Sequence, residues 1–141
     1  MSAGTFRGCF AAVIGAGLLV AAGCDNPSGP SQNAVALAGT WQGSALLPNG
    51  FSATMNLQQN GSAVSGTLRI AGVMGETPLT GTFTTSTRIM SWQVNDGCEI
   101  WTGTLTVASG SREMDGPLQI NRTGCVPAQN SGSGTLRLDK Q

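Results

Sequence analysis

The chain has 141 residues, with seven basic and seven acidic side chains, and only 10% of its residues are charged. A neutral, charge-poor chain has no basic surface for phosphate backbones, so we expect no nucleic-acid partner. Histidine is absent, which removes the commonest general base, the commonest metal ligand and the Ser-His and Cys-His catalytic pairs. We therefore expect a protein that is not an enzyme and that uses no cofactor.

The first 23 residues have the layout of a secretory signal. Residues 10–22 form an uncharged apolar run behind a single charge, Arg7, and the run is too short to span a bilayer as a stable helix. The run ends in Leu19-Val20-Ala21-Ala22-Gly23-Cys24, which resembles the lipobox of bacterial lipoproteins. The resemblance implies cleavage before Cys24 and lipid attached to that cysteine. The alternative is an ordinary secretory signal with a chance cysteine.

A lipidated Cys24 implies a protein of the bacterial cell envelope, anchored to a membrane and facing the periplasm or the exterior. Asp25 resembles the inner-membrane retention signal of enteric bacteria, and both membranes stay open as alternatives. Residues 24–36 are rich in Pro, Gly, Ser and Asn, which predicts a flexible tether. Residues 37–141 are long enough for one domain.

From Ala38 onward, apolar and polar residues alternate with period two between turn residues. This pattern predicts an all-β domain, an antiparallel up-and-down barrel of about eight strands. The predicted strands cover residues 39–47, 51–58, 63–70, 78–84, 88–94, 100–107, 114–121 and 133–138.

A short unit of glycine, threonine and a large apolar residue recurs in these strands, as in Gly39-Thr40-Trp41, Gly81-Thr82-Phe83 and Gly103-Thr104-Leu105. Period two places each glycine on the same face as the large residue, where it lets the strand bend and leaves room for bulky neighbours. We expect this apolar face to line the inside of the barrel. A membrane barrel would turn it outward and would need aromatic girdles, but aromatic residues are only 5% of the chain.

Two cysteines remain for the domain after Cys9 is removed with the signal and Cys24 takes the lipid. Cys98 and Cys125 have one possible pairing in an exported domain, so we predict a disulfide between them. Up-and-down connectivity supports the pairing, because it places loops 95–99 and 121–131 at the same end of the barrel, away from both chain ends.

Three segments resemble known barrels. Leu37-Ala38-Gly39-Thr40-Trp41 is similar to the first strand of lipocalin and avidin-type barrels, and Thr80-Gly81-Thr82-Phe83 and Trp101-Thr102-Gly103-Thr104-Leu105 resemble avidin-type middle strands. The resemblance implies a small lipocalin-like barrel that holds a ligand, although the buried tyrosine of avidin-type biotin sites has no counterpart here. Small bacterial protease inhibitors also use a disulfide-containing eight-stranded barrel, which implies a protein partner instead.

Two functions are therefore open. The first is binding of an apolar or amphipathic small ligand inside the barrel, although the same side chains also fit a packed core. The candidate ligand-binding residues are Trp41, Met55, Phe83, Trp92 and Trp101. A hollow interior would favour this function, and a filled interior would favour the alternative.

The alternative is a structural or protein-interaction module that contacts an envelope partner through its mouth loops, the loops at the barrel end away from both chain ends. The candidate interaction residues are Glu76, Asp96, Glu99 and Arg122. Asp96 and Glu99 flank Cys98, but the spacing of oxygen ligands in a calcium-binding loop is missing, so we expect no metal there.

Overall fold

The computed structural model describes residues 35–125 and 130–141; the predicted signal peptide, Cys24 and most of the predicted tether lie outside them. Every regular element in these ranges is a β-strand, and no helix there is long and apolar enough to cross a bilayer. The strands are β1 Gly39–Leu46, β2 Gly50–Asn60, β3 Ala63–Ile70, β4 Met74–Thr84, β5 Ile89–Asp96, β6 Glu99–Val107, β7 Glu113–Asn121 and β8 Gly132–Lys140.

Each strand pairs antiparallel with the next one along the chain, and β1 pairs with β8 to close the barrel. The closing seam runs from Trp41 opposite Lys140 to Leu46 opposite Thr135. The predicted fold class, an all-β up-and-down barrel of eight strands, is confirmed. Closure gives every strand a neighbour on both sides along most of its length, which removes most of the open edge through which sheets aggregate.

The largest difference from the predicted strands is at β4, which begins at Met74 instead of residue 78. The segment before Leu79 pairs only with β3, because β5 joins β4 from Leu79 onward. A register shift between Leu68 and Ile70 brings Met74 opposite Ile70, and Met74 is buried in the core. Glu76, which was predicted to lie in a mouth loop, therefore lies on the barrel wall instead.

The predicted apolar face is the inside of the barrel. The side chains that fill it are at most 4% exposed and come from every strand, so the interior is one continuous core. Burial of each large aliphatic side chain contributes about 1.5–3 kcal/mol. The opposite face is mostly Thr, Ser, Asn and Gln, in agreement with a sheet whose outer side is in water.

Six glycines on the inner phase of the strands lie where neighbouring strands come unusually close. An ideal Cβ at any of the six would stand within 2.7 Å of a carbonyl oxygen on the neighbouring strand, closer than real Cβ atoms come. These glycines are Gly43, Gly66, Gly81, Gly103, Gly116 and Gly134. In most of its copies the recurring glycine unit thus marks a close contact between strands, whereas at Gly39 an added Cβ would meet only the side chain of Lys140, at 3.2 Å.

Up-and-down connectivity gives the barrel two ends. The mouth end carries turns 47–49, 71–73 and 97–98 together with residues 122–125 and 130–131, and the chain end carries the other turns and both ends of the described chain. Leu37 closes the chain end: it is fully buried, and its carbonyl accepts a hydrogen bond of 2.8 Å from the indole Nε1 of Trp41. Val35 also packs against the core, within the segment predicted as tether.

Candidate functional site

The three tryptophans occupy three levels of the barrel and differ in their hydrogen bonds. At the chain end the indole of Trp41 donates to Leu37, and at the mouth end the indole of Trp101 donates to a carboxylate oxygen of Glu99 over 3.0 Å. Trp92 lies midway along β5 and is only 3% exposed, yet its Nε1 has no acceptor among the described residues. An unpaired buried donor costs about 1–3 kcal/mol, so this N–H is a group that the acceptor of a ligand could satisfy. The other unpaired buried side-chain donor among the described residues is Nε of Arg88, in the turn before β5.

The indole of Trp92 also has a packing role. Its partners across the sheet on both sides are glycines, Gly81 on β4 and Gly103 on β6. An added Cβ on Gly103 would stand 2.7 Å from Cζ2 and 2.8 Å from Cε2 of Trp92, so the ring covers the space that the glycine leaves open. Trp92 thus fills the interior beside its two glycine partners.

The five predicted ligand-binding side chains all converge on the interior. They are all buried and belong to a single core cluster, whose members are Trp41, Met55, Phe83, Trp92 and Trp101 among others. Their burial matches the packed-core interpretation, and any ligand among them would have to displace side chains that now touch one another.

Four depressions lie on the surface of the barrel. One of 380 Å³ is lined by the outward-facing Thr80, Thr82 and Gln93 and also by Trp92, and one of 440 Å³ lies at the chain end beside Val35. Two more, of 370 Å³ and 200 Å³, lie on the outer wall of β1 to β4.

A disulfide joins Cys98 and Cys125 at the mouth end, as predicted, with 4.7 Å between the two Cα atoms. It ties the turn between β5 and β6 to the segment that follows β7. Beside the disulfide, the carboxylate of Glu99 accepts two hydrogen bonds. One oxygen accepts from Nε of Arg122 over 2.7 Å, and the other accepts from the indole N–H of Trp101. The disulfide and this ion pair therefore both join the start of β6 and the turn before it to residues 122–125 after β7.

The four predicted interaction residues lie in three different environments. Glu99 and Arg122 are paired with each other and partly buried, so each charge is already neutralised by the other within the fold. Asp96 is the exposed last residue of β5. Glu76 lies on the wall of β4 and accepts a 2.9 Å bond from the hydroxyl of Thr67.

An apolar surface at the mouth end was not predicted from the sequence. Leu46 is 56% exposed at the end of β1, and Leu47, Phe51 and Val73 are partly buried against the core. The two turns that carry these residues are adjacent, because the amide of Ala71 donates to the carbonyl of Ser52 over 2.9 Å. We call Leu46, Leu47, Phe51 and Val73 the mouth surface. Its sequence signal is the pair Leu46-Leu47, which breaks the period-two alternation of β1.

The fold and these surfaces define a small, disulfide-linked, closed eight-stranded β-barrel. A scan against models of known protein families finds no match for this chain, and a search of curated proteins finds no similar sequence. The chain's function is therefore argued from its own residues.

Proposed function

We propose that this protein is a lipid-anchored component of the bacterial envelope that works as a protein-interaction module, with a partner docking on the mouth surface. The observation that carries the proposal is the exposure of Leu46 beside Leu47 and Phe51, in a barrel that places nearly all its other large apolar side chains inside. Leu46 is the exposed member of the mouth surface, and the partly buried Leu47, Phe51 and Val73 add apolar area beside it, as in the apolar patches that mark interaction sites. The proposal assigns no catalytic role to the barrel.

The connections at the mouth end support docking there. The disulfide and the Glu99–Arg122 pair tie the turn between β5 and β6 to residues 122–125 after β7. A partner that also contacts these tied residues would lose little conformational entropy on ordering them. The expected partner is an envelope protein with an aliphatic or aromatic groove, since the mouth surface itself offers side chains without charge.

The anchor is the second part of the proposal. Lipid on Cys24, followed by a tether up to residue 36, would hold the barrel by its chain end, where Leu37 is buried. The mouth surface would then face away from the membrane, toward the periplasm or the exterior. Both the inner and the outer membrane are compatible with this orientation.

The test is cross-linking of the full chain in its own cells, with Leu46→Asp as the variant and Ile89→Asp as the matched control. Ile89 is 37% exposed at the chain end, so the control adds the same charge to an exposed apolar site outside the mouth surface. We expect a specific protein adduct that Leu46→Asp reduces at least about tenfold and Ile89→Asp leaves intact. Cys24→Ser should release the protein from the membrane fraction.

Thermal unfolding of both Asp variants checks that each barrel is still folded. An adduct of equal strength in the two variants, or one that both variants lose, would place the contact elsewhere and contradict docking on the mouth surface. A Cys24→Ser protein that stays in the membrane fraction would contradict the lipid anchor and leave the docking result standing.

The unpaired indole N–H of Trp92 favours a second candidate, a small apolar or amphipathic ligand with a hydrogen-bond acceptor inside the barrel. Native mass spectrometry of the full chain purified from its host should then show an added mass that organic extraction removes. Trp92→Phe keeps an aromatic ring without the N–H and should lose that mass. A bare chain mass in both proteins would exclude the ligand.

A further inference from the structure

We infer that the outer wall of β1 to β4 carries a second binding site, for a neutral glycan chain. Two depressions there, of 370 Å³ and 200 Å³, share Asn56, Thr67 and Glu76 and so form one continuous groove. The larger part falls within the size range of small-molecule sites, about 300–1,000 Å³. This outer groove is separate from the mouth surface, and the inference does not depend on the proposed function.

A row of polar side chains in register crosses the outer groove, and Gly39, Leu57 and Gly66 add apolar lining to its larger part. Thr40 lies opposite Asn56 on β2, and Asn56 lies opposite Thr67 on β3. The hydroxyl of Thr40 donates to Oδ1 of Asn56 over 2.9 Å, and the hydroxyl of Thr67 donates to Oε1 of Glu76 over 2.9 Å. These bonds orient the amide and the carboxylate and leave the Asn56 Nδ2 and the Glu76 Oε2 without a partner among the described residues.

Two opposite charges face the smaller depression without pairing. Arg69 and Glu76 both line it, yet neither takes part in an ion pair with any residue that the structure describes. Elsewhere on the barrel, Arg137 pairs with Glu113 over 2.7 Å. A guanidinium and a carboxylate that line one depression without pairing can both contact a molecule bound there.

This set of groups matches the chemistry of sugar hydroxyls. A hydroxyl donates and accepts at the same time, so neighbouring hydroxyls of one sugar could donate to Glu76 and accept from Arg69 or Asn56. Thr54 and Gln58 extend the same polar lining along the groove. A ligand with a net charge would be opposed by one of the two charged side chains, which favours a neutral glycan.

The glycan should bind weakly. No aromatic side chain lines the described groove, so a sugar ring has no aromatic ring to stack on there. We expect dissociation constants of about 1 mM for short oligosaccharides. A longer chain bound along the groove would gain from several such contacts at once.

The experiment is saturation-transfer NMR on the full chain in a detergent without sugar groups. The probes are maltose, cellobiose and N,N′-diacetylchitobiose, with the zwitterionic dipeptide Ala-Ala as the rival ligand. At least one disaccharide should receive saturation, and Glu76→Gln should weaken its binding about tenfold because a hydrogen bond to a charged acceptor is lost. Asp115→Asn is the matched control, since Asp115 is an exposed carboxylate outside the groove.

Three results would overturn the inference. The first is the absence of saturation transfer to all three disaccharides at 20 mM, about twenty times the expected dissociation constant. The second is an equal loss of binding in Glu76→Gln and Asp115→Asn, which would mean that the carboxylate of the groove has no special part. The third is preferential binding of Ala-Ala, which would assign the Arg69–Glu76 pair to a dipolar ligand. None of these results bears on the cross-linking test of the mouth surface.

Discussion

Replacing Gly43 with alanine should lower the free energy of unfolding by about 3 kcal/mol and the melting temperature by about 12 °C or more. The added Cβ would overlap the backbone carbonyl oxygen of Arg137, an atom that cannot rotate away as a side chain can. To relieve the overlap, β1 would have to move away from β8, and that pair is the seam that closes the barrel. Thermal and urea unfolding followed by tryptophan fluorescence measure the loss.

Gly75→Ala is the matched control for this prediction. Gly75 also lies in a strand, β4, but an added Cβ there meets nothing within 4 Å. Its replacement should therefore change the stability by less than about 1 kcal/mol. If Gly43→Ala proved as harmless as Gly75→Ala, close strand contact would not be the reason for glycine at position 43.

The second large effect is expected from removal of the disulfide. The double variant Cys98→Ser/Cys125→Ser should be less stable by about 3.5 kcal/mol, the chain-entropy value for a separation of 27 residues. The loss arises mainly in the unfolded chain, which becomes free to explore more conformations. Urea unfolding of the purified full chain gives the difference directly.

Reduced wild-type protein is the control for the double variant. Dithiothreitol should lower the wild-type midpoint to that of the variant and should leave the variant itself unchanged. A variant with the wild-type midpoint would mean that neighbouring contacts, such as the pair of Glu99 with Arg122, hold the mouth end without the covalent bond.

Much of the fold could be predicted because each signal is local. Alternation of period two decides which side chains point inward, and turn residues such as Asn60-Gly61 separate the strands. The disulfide could be predicted as well, because the number of strands between Cys98 and Cys125 determines which end of the barrel each of them reaches. The start of β4 could not, since Met74 is paired through a register shift that depends on β3.

The surfaces were harder to predict than the core because they depend on which side chains meet across strands. Arg69 and Glu76 are close in sequence, but an assignment of Glu76 to a loop hides the fact that both line one depression. Strand order predicts that Glu99 and Arg122 lie at the mouth end. Their ion pair depends on side-chain geometry, which strand order does not determine. The exposure of Leu46 follows from the strand phase, and its grouping with Val73 follows from the contact between two turns.

The position of β1 has a mechanical consequence. The described chain enters β1 at Gly39 from the chain end, and the strand leads directly to Leu46 beside the mouth surface. Tension between a tether and a bound partner would run along this strand, and the ladders to β2 and β8 lie on either side of it. The load would shear both hydrogen-bond ladders at once instead of opening their bonds one after another. β1, the strand that would receive the pull, is thus held by a neighbouring strand on each side.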